Sequence, residues 1–560
     1  MSTSSTTSSG GIGRASALLA SGTLVSRVLG FVKTAFLAYV IGQSFSSSAD
    51  SFALANQLPN NIYALIAGGL LSAVLVPQIV KAAAHSDGGQ TYINKVVTLG
   101  TLVFAVVTLI ATLAAPLLVR VYADQASDTG SGGYSPAAIS LATAFAFWCL
   151  PQIFFYAMYS LLSEVLNARQ VFGPFTWAPV INNVVALAGL GVFLLVFGQA
   201  TGDASGGTWN ATSISLLAGT ATLGVVAQAA FLLLFWRRAG LTFRPDFRWR
   251  GVGLGATGKA AGWLLGMVLI TQLAGIVQSR VVSLGSSVGA SNATVANSWL
   301  LFMLPHGIIA VSIGTAYFTR MSGHASRDDL RSLRLDISQS IRVIGLFMVF
   351  AAVALMVVAM PFARFFERDP DAVSDMATVL HAYLPGLILF SVLFMIQRVF
   401  YALHDQRTPF FMQLTQSVVF VGGALLAPMI VGGNGIAAAV AVATTVAGTV
   451  QAVIALVLLH RRLGGYDGLW IVRRYVQYLV VALVAGAFGV FIVTVMGGYT
   501  VGGFGQQSAL TGLTTVIVAG VAMSVVYFGV LTVFRLPELE SLTKPVVRRA
   551  SSAARRLVRR

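Results

Sequence analysis

The sequence predicts an all-α polytopic membrane protein of about 14 transmembrane helices, built as two six-helix lobes followed by two further helices. Three observations predict it. Charged residues make up only 9% of the 560 and hydrophobic ones 56%, against roughly 25% charged in an average soluble domain. Apolar runs long enough to cross a hydrocarbon core of about 30 Å, which takes roughly 20 helical residues, recur from residue 15 to residue 535. The chain also echoes itself: LPNNIYALIAGGLLSA (58–73) answers LPHGIIAVSIGTAYFT (304–319), and LNARQVFGPFTW (166–177) answers LHDQRTPFFMQL (403–414). The offsets are 246 from Pro59 to Pro305 and 235 from Pro174 to Pro409. Agreement in order and spacing fits two parallel halves, an arrangement transporters place around a central site.

The elements follow in order. Residues 1–14 form a disordered tail whose first ten are rich in Ser, Thr and Gly. The first apolar run, 15–41, is too long and too charged for a cleaved signal peptide and reads as a retained helix. Breaks at Gly, Ser, Asp, Asn or basic residues then delimit spans 49–80, 96–123, 137–166, 174–199 and 211–236, which complete a first lobe at 15–236. A basic linker, 237–259, leads to the second lobe, 260–459, with spans 260–287, 293–320, 341–366, 376–403, 409–431 and 434–459. Spans 471–497 and 509–534 fall outside the repeat, and 535–560 is a basic tail.

The net charge of +17 would raise nucleic acid as a partner for a soluble chain; in a membrane chain the distribution of charge matters more. With the N-terminus inside, 28 of the 35 Lys and Arg fall on the cytoplasmic side and three, Arg120, Arg364 and Arg368, outside. That asymmetry predicts both termini in the cytoplasm and an even number of helices. No nucleic-acid partner is expected. Cys149 is the only cysteine, so no disulfide framework or cysteine metal site is expected. GLGATGKA (253–260) satisfies two phosphate-loop patterns, but no strand precedes it and Ala260 stands where Ser or Thr would hold magnesium. No catalytic triad, metal-ligand cluster or cofactor motif emerges, and the chain reads as a transporter rather than an enzyme.

Four cations remain at membrane depth: Arg27, Lys33, Arg280 and Arg398. A charge at the bilayer centre costs about 2.5–3.5 kcal/mol on insertion scales, so it is kept where it meets a wet cavity or a partner. Arg27 and Lys33 lie about 120° apart around one helix, wide enough to line one cavity without touching. Arg280, in the first helix of the second half, is the third expected cation of a substrate cavity. Asp50, at the start of the second span, is the acid positioned for charge balance or gating. Asn60 and His306 are secondary candidates, the latter read more readily as a packing residue. Glu164 with Arg169, and Arg398 with Asp405, are spaced as local helix-end pairs.

SRVLGFVKTAFLAYVIG (26–42), the stretch Ala49-Asp50-Ser51-Phe52, LPNNIYALIAGGLLSAVLVP (58–77), LNARQVFGPFTWAPVINN (166–183) and FYALHDQRTPFF (400–411) resemble the MurJ (MviN) lipid II flippases. WLLFMLPHGIIAVSIGTAYFTRMS (299–322) is similar to the actinobacterial branch. The resemblance implies the fold of the multidrug/oligosaccharidyl-lipid/polysaccharide exporters. It implies flipping of undecaprenyl-pyrophosphate-linked peptidoglycan precursor to the outer leaflet for cell wall synthesis, through a cationic cavity and with a groove for the lipid tail near the last two helices. Its partners would be lipid II, membrane lipids and cell-wall synthesis proteins. By position it assigns pyrophosphate binding to Arg27, Lys33 and Arg280 and the acidic role to Asp50. Tyr63, Ala64, Gly68 and Leu300 stand where many members carry charge. Rival expectations are another polyprenyl-linked glycan or a drug carried on the same fold, and a non-transporting scaffold for cell-wall enzymes.

Overall fold

The computed structural model describes residues 9–42, 46–70, 82, 87, 89–124, 133–169, 171, 173–200, 208–248, 258–286 and 289–539. No strand occurs among them. Of the tail expected to be disordered over 1–14, residues 9–14 are instead the first turns of a helix running to Ile41, and 1–8 lie outside the described residues, as do 71–80 of the second span, most of the glycine-rich 253–260 and the basic tail beyond 539.

Contacts divide the chain into two units, Met1–Ala296 with Ala424–Ala437, and Asn297–Gly423 with Ala438–Arg560. The first holds α1 (Ser9–Ile41), α2 (Ser47–Leu70), α3 (Gln90–Leu113), α4 (Ala115–Tyr122), α5 (Pro136–Cys149), α6 (Gln152–Ala168), α7 (Gly173–Phe197), α8 (Ala211–Leu233) and α9 (Gly258–Ser283). Helix α10 (Asn292–Pro305) begins there and runs on into the second unit, which holds α11 (Val311–Ala325), α12 (Leu330–Val357), α13 (Ala359–Ala363), α14 (Pro370–Tyr383), α15 (Leu387–Ala402) and, as far as Gly423, α16 (Arg407–Ile430). The last helices are α17 (Ile436–Leu463), α18 (Gly468–Val495), α19 (Phe504–Gln507) and α20 (Ala509–Val533).

Thirteen helices among the described residues are long and apolar enough to cross a membrane. They match the expected spans except the second, whose residues 71–80 are not described. Three boundaries differ for identifiable reasons. The third span starts six residues early, at Gln90, and breaks at Ala114 just before Pro116, where proline is tolerated only in a new first turn. The ninth starts at Leu330 rather than 341 because Asp329 caps it through the Ser332 N–H at 3.0 Å. The eighth is interrupted after Pro305 by a π-turn, His306–Ala310, a feature hydropathy does not register.

In the first unit α7 packs on α1 and α8, and α2 on α5, α6 and α9. The α7–α8 crossing is close because Gly189 faces Thr220: a Cβ there would stand 2.3 Å from the Thr220 Oγ1. A buried cluster of rings locks the bundle, with Phe145 edge-on to Phe52 at 5.3 Å and to Trp209 at 5.2 Å. In the second unit α12 packs on α15 and α18, and α18 on α20. Tyr475, half-buried, and Tyr527, buried, donate to the α12 carbonyls of Ile341 and Leu346, both at 2.8 Å. These bonds fasten the last two spans to the second unit by polar as well as apolar contact.

Candidate functional site

Helix α1 carries two of the expected cations. At about 1.5 Å per residue, Lys33 lies about 12 Å and Arg27 about 21 Å before the helix end at Ile41, and both are half-buried. The helix is held by α7: the Asn183 amide donates to the Ser26 carbonyl at 2.9 Å, and Gly22 leaves room for Thr176.

Lys33 lines a cavity of about 60 Å³ with Asn56, Gln152, Tyr156, Asn182 and Thr220 among its walls. That is room for on the order of four waters. The amides there are already bonded to one another and to neighbours. Gln152 Nε2 donates to Thr222 Oγ1 at 3.0 Å and to Asn56 Oδ1 at 3.4 Å, and Asn182 Nδ2 to Gln228 Oε1 at 3.0 Å. No carboxylate or other acceptor among the described residues partners Lys33. The cavity therefore sets the Lys33 ammonium in an uncharged lining of amides, hydroxyls and apolar side chains, a site able to accept an anionic group or ordered water. The lining amides were missed in the sequence. Glutamine and asparagine inside apolar spans are the signal that marks them, but their convergence is visible only in the fold.

Asp50 is fully buried at the start of α2. Its carboxylate accepts from Ser286 Oγ at 2.7 Å, from Ser291 Oγ, and from the Ala293 N–H at 3.2 Å. It thus caps the first turn of α10 from a segment far away in sequence, where the partial positive charge of the helix end favours an anion. Around it, Tyr134 donates to the Asp50 carbonyl at 3.2 Å, and Ser51 to the Ala138 carbonyl at 2.9 Å. The partners of Asp50 are two hydroxyls and a backbone amide, not a cation of α1.

Arg280 is exposed near the end of α9 and pairs with Asp124 at 3.1 Å, both side chains nearly half-exposed. The Asp124 N–H in turn donates to Ser283 Oγ at 3.0 Å. Arg280 is not among the residues lining the Lys33 cavity. Asn60 is exposed on α2; the carbonyl of its neighbour Asn61 accepts from Gln272 Nε2 on α9.

In the second unit His306 is buried, 2.9 Å from Ser391 Oγ and edge-on to Phe390 and Phe394. That is the packing environment expected of it. Arg398 stacks on Phe394 at 4.4 Å and on Phe318 at 5.5 Å, while Asp405 caps Thr408 through both its N–H and hydroxyl. Aromatic faces and a helix start thus occupy the two residues expected to pair. An apolar groove of about 370 Å³ runs beside α18, lined by Ile341, Val349, Val392, Leu456, Val472 and Val476 among others.

The sequence model of the family described as lipid II flippase MurJ matches residues 37–509. A probable lipid II flippase MurJ of Haemophilus influenzae is 28% identical over 494 residues, covering 83% of this chain and 89% of that protein. One of Vibrio cholerae is 26% identical over 401 residues, covering 69% and 72%. Among solved structures, a lipid II flippase MurJ in an inward closed conformation superposes with a TM-score of 0.68 at 16% identity, covering 92% of this chain and 99% of that one. An inward-facing MATE-family multidrug transporter of the MOP superfamily gives 0.55 at 15% identity, covering 74% and 93%.

Proposed function

The chain belongs to the lipid II flippase MurJ family, and on that premise we propose that it moves lipid II, the polyprenyl-pyrophosphate-linked peptidoglycan precursor, from the inner to the outer leaflet. It is a multi-pass membrane protein and a transporter, not an enzyme. The observation that carries the mechanism is Lys33: a lysine eight residues inside the end of an apolar helix, in a cavity partly lined by amides, without a counter-ion among the described residues. A cation held this way attracts an anionic headgroup. At an effective dielectric of about 20, a unit charge about 8 Å away is worth roughly 2 kcal/mol. Arg27, two turns away on the same helix, adds a second charge to that field, and Arg280 a third once it leaves Asp124.

The lobes alternate in access, and the polyprenyl tail stays in an apolar environment because each CH2 withdrawn costs about 0.8 kcal/mol. The groove beside α18 is its track. The Asp50 fastening closes the end opposite the basic loops and releases when the site opens outward. Both termini face the cytoplasm, an orientation resting on the Lys and Arg asymmetry. The membrane potential, at about 2.3 kcal/mol per charge per 100 mV, resets the empty cationic site.

The test is precursor translocation in cells depleted of their own flippase and supplied with this chain. Wild type restores translocation and growth. Arg27→Ala and Lys33→Ala each reduce translocation at least tenfold, about 1.4 kcal/mol, at equal membrane abundance. Normal translocation by both variants removes the headgroup role, and failure of the wild type to restore growth removes lipid II as cargo.

A further inference from the structure

The first unit carries a second cavity, of about 530 Å³, far larger than the one at Lys33. Its local structure begins with a strap. After α8 the chain turns at Gly240, φ +73°, and residues 241–248 run extended along the polar edge of α3. Gln90, Asn94 and Thr98, at four-residue spacing, accept from the N–H groups of Thr242, Arg244 and Asp246 at 3.2, 3.3 and 3.1 Å. The three polar side chains of α3 are thereby satisfied, and Phe243 and Phe247 are left 48% and 65% exposed.

The trough enclosed by the strap and the bundle has walls of Val97, Met158, Leu162 and Leu233. Thr101 adds no polarity, since its hydroxyl is bonded to the Val97 carbonyl at 2.7 Å. Its mouth is formed by Trp236, Arg237, Thr242 and Phe243. Arg237 is exposed and has no carboxylate partner among the described residues. Trp236 is 6% exposed and adds its ring to the lining, while its Nε1–H is buried away from the trough. Lys95 follows Asn94 on α3, Arg238 and Arg244 lie in the turn and the strap, and Asp246, paired with Arg248 at 3.2 Å, also interacts with Lys95. An open apolar trough, flanked by aromatic rings and by the guanidinium of Arg237, matches a lipid on both its parts. Aromatic rings collect at the depth of lipid headgroups, basic pockets between helices take anionic ones, and a guanidinium presents the fork a phosphodiester needs.

We propose that this trough is a binding site for an anionic glycerophospholipid, with one acyl chain along Val97, Met158, Leu162 and Leu233 and the phosphodiester oxygens on Arg237. The ligand is a resident of the surrounding leaflet, distinct from the cargo, and the site is complete within one unit. A zwitterionic lipid is disfavoured because it would bring its own cation among Arg237, Arg238 and Lys95.

Native mass spectrometry of the full-length protein with equal amounts of phosphatidylglycerol and phosphatidylcholine tests this without any transport step, so its outcome is independent of the flippase reading. Wild type is expected to retain phosphatidylglycerol in preference. Arg237→Ala lowers its occupancy about fivefold, Arg237→Lys keeps more than half, and Arg461→Ala, an exposed arginine of the second unit, changes nothing. All three substitutions are read against unchanged elution from a sizing column. Equal retention of the two lipids by wild type, no loss in Arg237→Ala, or an equal loss in Arg461→Ala overturns the proposal.

Discussion

Asp50 and Lys33 are both ionisable groups within the first unit, and their surroundings are opposites. The Asp50 carboxylate meets donors: two serine hydroxyls and the amide of Ala293 at a helix start. Lys33 sits among amides already bonded elsewhere, beside open space. A buried charge with a full set of hydrogen bonds holds parts of a protein together, and breaking it is costly. A charge without a partner costs stability and is retained for something outside the chain. The contrast separates a fastener from a receptor more sharply than the identity of either residue does.

The largest effect is expected from Asp50→Ala. It strands three donors, each worth about 1–3 kcal/mol when left unsatisfied. Thermal unfolding of the purified protein should show a loss of at least about 3 kcal/mol, with Asp50→Asn recovering part of it. A loss below about 1 kcal/mol would mean that the cage adds no net stability. Lys33→Met should act in the other direction. It removes an uncompensated charge at similar volume and is expected to raise stability by about 1 kcal/mol while lowering translocation at least tenfold. If stability falls instead, Lys33 has a structural partner and the contrast with Asp50 dissolves. The smallest effect belongs to Arg280→Ala and Asp124→Ala. The pair is nearly half-exposed on both sides, so each change should stay within about 1 kcal/mol in the same unfolding experiment. A double-mutant cycle giving more would move Arg280 to the side of Asp50.

Much of this was legible in the residues, and the gaps have physical causes. Hydropathy located the spans because bilayer thickness sets their length. It misplaced the start of the ninth because the charged stretch Leu330–Arg342 continues the same helix, held by the Asp329 cap and by Asp336, which accepts from Arg320 at 2.6 Å. Arg27, Lys33 and Asp50 stood out as charges in apolar runs. Their partners did not, because serines 286 and 291 are ordinary residues of a loop more than 230 positions from Asp50. Arg398 found aromatic faces rather than Asp405 because Asp405 was already engaged in capping Thr408. Local spacing proposes pairs, but local capping competes for the same carboxylates.

The distance between Asp50 and its cap also sets a clock on synthesis. The Ala293 amide lies 243 residues downstream of the carboxylate it bonds. At roughly 5–20 residues per second of translation, the ribosome needs about 10–50 s to supply it. Throughout that interval the start of α2 has been made while its buried acid lacks all three donors. A nascent chain arrested after its first six spans would therefore carry a bare carboxylate into the bilayer. Safe insertion depends on something else, the insertion machinery or lipid headgroups and water at the membrane surface, sheltering that group until the seventh and eighth spans arrive.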